Sequence, residues 1–214
     1  MAFNLADLAE HTADAVPDRT ALICGDRSVT FSELDARANR LAHHMAANGI
    51  GERDHVAIYS LNSIEYVESM LATYKLRAVP INVNYRYEDE ELAYLFDNAD
   101  VVAVLYQSSF ADRIAAVTQR VHTLRHLIEI DDGTDTPGRS GAVDYESALA
   151  EQSDERDFAV EAGVAQSGHA RGRIRFRHRI GDRNGAGGDQ AGLHVVVLGV
   201  DLERVEMAVG DGEG

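Results

Sequence analysis

The chain has 214 residues, of which 45% are hydrophobic and 26% charged, the balance of a globular protein long enough to bury a substantial core. Its formal net charge of -16 excludes nucleic acid and anionic membrane as general partners, because both are polyanions. Cys24 is the single cysteine, which excludes an internal disulfide and fits a reducing, cytoplasmic compartment. No basic region followed by an apolar stretch opens the chain, so no secretory signal is expected. The longest apolar runs, Val101–Tyr106 and Val195–Val200, are of strand length and far below the ~20 residues that span a bilayer, so no transmembrane segment is expected either.

The first predicted helix runs from Asn4 to Val16, with Leu5, Leu8, Ala9 and Ala13 near helical spacing, Asn4 as its cap and Pro17 as its stop. Ala21–Cys24 and Ser28–Phe31 read as two short strands joined by a turn at Gly25-Asp26. Thr30 and Glu33 form a Thr-x-x-Glu capping box that starts a long helix. Leu34, Ala38, Leu41, Ala42 and Met45 form its apolar face, and Gly49 ends it. His55–Tyr59 is a strand, Ser63–Lys75 a helix with Ile64, Val67, Leu71 and Tyr74 on one side, and Ala78–Val83 a strand. Pro80 within that strand predicts an edge position or a break, because proline cannot donate to a ladder. Glu88–Phe96 is a helix, Val101–Tyr106 a strand, Phe110–Val121 a helix and Leu127–Ile130 a strand. Asp131–Gly141 is a loop rich in Gly, Asp and Thr, and Tyr145–Gln152 is a short final helix. Strand and helix alternate four times, and the strands are nearly continuous apolar runs. This predicts an α/β fold, a mostly parallel sheet with helices on both faces.

Four features invite a chemical reading and receive a plainer one. Cys24 reads as a small apolar core residue in a strand, because no activating partner is visible beside it. His43 and His44 are adjacent on a helix, so they do not share a face, and they read as helix-surface residues. Glu88, Asp89, Glu90 and Glu91 read as a solvated helix start favoured by the helix dipole, not as a metal site, because consecutive helical positions fan out around the axis. Lys75, the only lysine, lies within the third helix and not in the setting of a catalytic lysine.

After Phe158 the pattern stops. Arg171, Arg173, Arg175, Arg177 and Arg179 alternate with other residues, and on a strand they would form a basic row. The acidic remainder of the chain and the lack of stacking aromatics argue against a nucleic-acid track. Gly185 to Gly192 is glycine-rich but has Gln190 where a dinucleotide fingerprint needs glycine, so it reads as a flexible loop. Leu193–Val200 reads as a strand, and Leu202–Val209 as a continuing helix or strand. The region 159–214 contains neither Pro nor Lys, and a single Ser, Ser167.

Taken together, several segments carry a resemblance. They include Asn4-Leu-Ala-Asp-Leu-Ala-Glu-His11, Thr30-Phe-Ser-Glu-Leu34, Ala38-Asn-Arg-Leu-Ala42, Gly49-Ile-Gly51 and Asp54-His-Val-Ala-Ile58. Asn62 with Glu65, Lys75 to Tyr87 with its Pro80-Ile-Asn82 centre, Glu91 to Asn98 and Glu155-Arg-Asp-Phe158 extend it. In one register from the N-terminus to Phe158, the sequence resembles the opening of the adenylate-forming enzymes. Within them it is similar to bacterial acyl-CoA synthetases that act on fatty acids or steroid side-chain acids. The resemblance implies activation of a carboxylic acid by ATP and magnesium to an acyl-adenylate, followed by attack of the CoA thiol. Holding a polyphosphate and a carboxylate together calls for backbone amides, a lysine and a metal. In the family a Ser/Thr/Gly-rich phosphate loop ending in Pro-Lys-Gly follows within ~20 residues of the position matching Phe158. No such loop occurs in this sequence, and the ribose-binding Asp, the hinge and the C-terminal lysine of the family have no counterpart in it. No catalytic, cofactor-binding or metal residue is therefore assigned.

The expected organisation is a partial ligase domain over 1–158 and a poorly ordered tail unlike the family over 159–214. Arginine without lysine and abundant Gly, Ala and Val suit a GC-rich gene read out of frame, so an inactive, shortened ligase is expected. The alternative is a non-catalytic module that binds a partner. Either way, apolar surface that a complete domain would cover predicts self-association.

Overall fold

The computed structural model describes residues 4–134 and 141–157. Phe158, the arginine row at 171–179, the glycine-rich segment at 185–192 and the elements expected at 193–209 lie outside the described residues.

Helix α1 (Leu5–Ala15) begins where the Asn4 side chain accepts from the Ala6 amide and the Asp7 carboxylate accepts from the Asn4 amide. The Asn4 amide group also donates to the Tyr74 carbonyl at 2.7 Å, so the cap anchors the helix as well as starting it. Strands β1 (Thr20–Cys24) and β2 (Arg27–Thr30) form an antiparallel hairpin, a two-stranded sheet of its own. Gly25 at its turn has φ +63°, a left-handed conformation that glycine adopts without strain. Helix α2 (Phe31–Ala47) starts on the predicted capping box: Thr30 Oγ1 accepts from the Glu33 amide at 3.2 Å, and Glu33 returns a carboxylate to the Thr30 amide at 2.8 Å.

Five parallel strands follow: β3 (His55–Tyr59), β4 (Val79–Asn82), β5 (Val101–Gln107), β6 (His126–Ile130) and β7 (Val143–Asp144). Their spatial order is β4-β3-β5-β6-β7, and each neighbouring pair is parallel. Between them lie α3 (Ile64–Lys75), α4 (Asp89–Asn98) and α5 (Ala111–Thr118), the last entered through a 3-10 turn at Ser108–Phe110; α6 (Tyr145–Ala150) follows β7. The expected edge position of the proline strand is observed, since Pro80 sits in β4 at the border of the sheet. Strand β7 was not anticipated. It is two residues long, paired with Ile128 and Glu129, and no periodicity can mark so short a run. The helix expected over Phe110–Val121 is shorter, because Ser108–Phe110 turn as a 3-10 element first.

Both faces of the sheet are covered, as the continuous apolar strands predict. On one face Leu41 and Met45 of α2, Ala72 of α3 and Leu149 of α6 meet Ile58, Leu105 and Ile128. On the other, Leu92 and Phe96 of α4 and Ile114 and Val117 of α5 meet Tyr59, Val104 and Tyr106. All seven residues of β5 are buried. Val102 and Ala103 are consecutive yet belong to the same face. The register shift opposite His55 and Val56 absorbs the extra residue and restores alternation.

Truncating the centre of this strand removes packing from a fully buried position. Leu105→Ala is expected to cost about 2–5 kcal/mol by urea unfolding, and Thr30→Ala about 1 kcal/mol by loss of the cap. A change below a few tenths of a kcal/mol at Leu105 would contradict the two-sided burial of β5.

Candidate functional site

The route of the chain determines where a cleft forms. From β3 it crosses by α3 on one face to β4; from β4 it returns by α4 on the opposite face to β5, on the other side of β3. Connections therefore diverge at the carboxyl ends of β3 and β5, the place where open α/β sheets take ligands. Gln107 at the end of β5 spans that gap, its Oε1 accepting from the Leu61 amide at 2.9 Å. On the β4 side of the gap lies a cleft of about 990 Å³ whose walls include Asn62, Tyr66, Asn82, Asn84, Tyr85 and Tyr94.

The cleft wall after β4 is fixed from below. The buried Tyr59 hydroxyl donates to the Tyr87 carbonyl at 2.8 Å, and its ring stacks on Phe110 with centroids 4.4 Å apart. Arg113 donates to the Tyr59 oxygen at 2.9 Å and to Glu88 at 3.1 Å. Burial pushes the Tyr59 phenol up, which the Arg113 guanidinium only partly opposes, so this hydroxyl stays a neutral donor. The acidic helix start borders the cleft with its carboxylates engaged: Glu90 pairs with Arg120 at 2.8 and 2.9 Å, and Glu91 accepts from the Glu88 amide at 2.9 Å. The reading of Glu88–Glu91 as an exposed helix start holds, with these partners added. The walls combine amides, hydroxyls and aromatic rings with the aliphatic Leu61, Ile81, Val83 and Leu95, suited to binding a part-apolar molecule.

A second polar cluster sits at the carboxyl ends of β5 and β6. The Asp132 carboxylate accepts from Ser108 Oγ at 2.6 Å, Thr134 Oγ1 at 2.7 Å and the Ser109 amide at 3.2 Å. Burial disfavours its charge, but these donors outweigh burial and hold the carboxyl well below the usual carboxylate range. Sequence reading took Asp131–Gly141 as an undifferentiated loop. The Ser-Ser pair leaving β5 and the Asp-x-Thr leaving β6 were the available signals, and only the parallel pairing of the two strands brings them together.

Four sequence readings take definite places. Lys75 is the last residue of α3, at the end leading into β4 and therefore at the amino edge of the sheet, away from the cleft. Its side chain is fully buried, with Nζ 2.5 Å from Glu10 and 2.7 Å from Asp35; Arg156 meets the same Asp35 at 2.9 Å. Cys24 is the last residue of β1 and half-buried, not a full core residue; its Sγ lies 4.0 Å from the Asn62 carbonyl. His43 and His44 do not pair with each other, as expected, but both are half-buried and hold partners. His43 Nε2 lies 3.0 Å from the Glu155 carbonyl and 3.1 Å from Asp157, and His44 Nε2 lies 3.0 Å from His126 Nε2. The reason is that α2 is enclosed by α3, α6 and residues 153–157 as well as by the sheet, so few of its positions face water. Among the described residues no group of three or more His, Cys, Asp or Glu is placed to hold a metal ion.

Comparison with known proteins places this geometry. A family model described as AMP-binding enzyme matches residues 9–166, carrying the similarity past Phe158. Over 160 residues the chain is 49% identical to a medium/long-chain-fatty-acid–CoA/3-oxocholest-4-en-26-oate–CoA ligase of Mycobacterium marinum, covering 74% of this chain and 29% of that protein. It is 47% identical over 159 residues to the 3-oxocholest-4-en-26-oate–CoA ligase of Rhodococcus rhodochrous, again covering 29% of it. The chain thus spans under a third of the length of these curated relatives. Among solved structures, the anthranilate CoA ligase AuaEII bound to anthranoyl-AMP superposes with a TM-score of 0.67 at 22% identity, covering 72% of this chain and 29% of that one. A benzoate CoA ligase from Burkholderia xenovorans LB400 gives 0.61 at 17% identity, covering 71% and 29%. At these identities the superpositions establish the fold.

Two substitutions test the polar clusters. Lys75→Met strips Asp35 and Glu10 of a buried counter-charge and is expected to destabilise by about 3–5 kcal/mol in denaturant titration. Because the Asp132 carboxyl is lowered on folding, its stabilisation is complete above pH 3.8 and fades as pH falls further. Asp132→Asn is therefore expected to lower the urea midpoint at pH 7, with the gap to the parent chain narrowing below pH 3.8. A gap independent of pH would show that the carboxylate charge contributes nothing.

Proposed function

This chain belongs to the AMP-binding enzymes, and on that basis we propose that residues 1–158 form the N-terminal part of an acid–CoA ligase acting on a fatty acid or a steroid side-chain acid. The observation that carries the acid class is the 49% and 47% identity to ligases named for those substrates. Such an enzyme uses ATP, magnesium and CoA: the acid's carboxylate takes the adenylyl group, pyrophosphate leaves, and the CoA thiol displaces AMP. The free thiol of Cys24 suits the reducing cytoplasm in which CoA thioesters are made.

The described residues show no site built for ATP with magnesium, and no step of adenylation is derived through them. A polyphosphate requires amide cradles and a cation free to approach it. Lys75, the sole lysine, is committed to Glu10 and Asp35 inside the fold, and no metal-holding cluster occurs among the described residues. We therefore read the present chain as catalytically incomplete, with the sequence beyond the matched residues 9–166 as a departure from the family frame. What the described part supplies is a scaffold: the sheet, and the cleft at the carboxyl ends of β3 and β4.

A second reading, a non-catalytic module that binds a partner or a second copy of itself, draws on the exposure of Leu61 and Tyr94 on the cleft rim and of Val79 on the edge strand. A monodisperse complex with a stable partner in sedimentation favours it; a monomer that passes through unaltered removes it.

The purified chain is expected to give no ATP–pyrophosphate exchange above background with palmitate or with 3-oxocholest-4-en-26-oate. Exchange well above background would overturn the incomplete-enzyme reading. Translating the gene beyond the Phe158 codon in the other two frames is expected to yield a Ser/Thr/Gly-rich loop ending in Pro-Lys-Gly. Absence of that loop from both frames removes the frame-departure reading and leaves the family assignment untouched.

A further inference from the structure

Helix α2 and strand β6 meet through two imidazoles. His44 is in the last turn of α2, His126 opens β6, and their Nε2 atoms stand 3.0 Å apart with ring centroids 5.1 Å apart and planes inclined by 35°. Neither residue belongs to the cleft or to the Asp132 cluster. We propose that His44 and His126 form a two-imidazole site for a borderline transition-metal ion, Cu2+ above all, completed by solvent ligands.

Three observations support the ligand class. The first is distance. Two imidazole nitrogens each ~2.0–2.1 Å from one ion are about 2.9 Å apart at a right angle and about 3.4 Å apart at a tetrahedral one. The corresponding ring centroids are about 4.5 and 5.2 Å apart. The observed 3.0 Å is that of the near-right-angle arrangement, whose centroids would stand about 4.7 Å apart; at the observed 5.1 Å the rings aim more nearly at each other, so both must rotate to admit an ion. The second is the state of the nitrogens: bonded Nε2 to Nε2, at least one ring presents an unprotonated nitrogen, the form that ligates metal. When the rings bond to each other, one Nε2 must carry the hydrogen. On metal binding that hydrogen moves to Nδ1 through solvent, with no net proton release.

The third is the setting. The site lies at the C-terminal end of α2, where the helix dipole favours positive charge. The exposed Asn48 amide nitrogen lies 3.4 Å from His44 Nε2 and donates to the His44 carbonyl at 2.8 Å, so a polar, exposed group borders the pair. The nearby cation, Arg125, is turned away onto the Gly49 carbonyl at 2.8 Å and Asp54 at 3.1 Å. Two nitrogen ligands plus water favour the metal at the top of the divalent affinity series and a tetragonal geometry, hence Cu2+ before Ni2+ or Zn2+. Such an ion would staple α2 to β6 across the face of the sheet.

Titration of the full chain with CuCl2, NiCl2 and ZnCl2 at pH 7.5 tests the proposal by thermal unfolding and by electron paramagnetic resonance of the Cu2+ form. The chain has nine histidines, so His122→Gln serves as the control for adventitious surface binding. Expected are a rise in Tm with Cu2+ of several degrees, unchanged in His122→Gln and abolished in both His44→Gln and His126→Gln, and a spectrum showing two bound nitrogens. Should either variant fail to fold, the resonance spectrum of the unaltered chain labelled with 15N-histidine decides. Hyperfine coupling to fewer than two imidazole nitrogens, or a Tm rise that survives both substitutions, overturns the site and leaves the pair as a buried hydrogen bond.

Discussion

Everything in this structure follows from the burial of one strand. β5 lies in the middle of the sheet with all seven of its residues out of water. A parallel strand that is apolar on both sides cannot face solvent on either, so helices must cover both faces. That requirement sends α3 to one side and α4 to the other and reverses the direction of winding between β3 and β5; the cleft lies beside that point, at the carboxyl ends of β3 and β4. The candidate site is thus a by-product of covering β5.

The helical layer on one face is joined by charge as well as by apolar contact. Glu68 is fully buried, accepts from Arg37 at 2.6 Å and takes the Tyr145 hydroxyl at 2.7 Å, while Arg37 reaches on to Glu146. Burial raises the Glu68 carboxyl, against the pull of Arg37 and Tyr145. Lys75, Asp35 and Arg156 repeat the arrangement nearer α1. Buried ion pairs of this sort add little net stability compared with apolar residues of equal size, yet removing one partner is costly. Here they specify which helix lies against which: α2 against α3 and α6, and residues 154–156 against α2.

Helix starts and strand positions were readable because their causes are local. Thr30 with Glu33 makes a cap whatever surrounds it, and Pro80 excludes its strand from the interior of a sheet wherever that sheet forms. The short β7, the Asp132 cluster and the His44–His126 pair escaped for the opposite reason. Each joins residues far apart in the chain, 82 positions in the case of the histidines, and no spacing rule reaches that far. His43 and His44 were read as surface residues because helix periodicity reports one apolar face, whereas α2 is packed around most of its circumference.

By itself, the sequence determined the element types, the parallel two-faced sheet and membership of the AMP-binding enzymes, because caps, periodicity and motifs are properties of neighbouring residues. Only the tertiary structure decided what the charged and polar residues do. It committed Lys75 to an internal ion pair, aimed Tyr59 and Arg113 at the cleft wall, and set two imidazoles nitrogen to nitrogen. A side chain's partners are fixed by how helices pack on a sheet, and that packing is settled by burial over the whole fold, not by any local stretch of it.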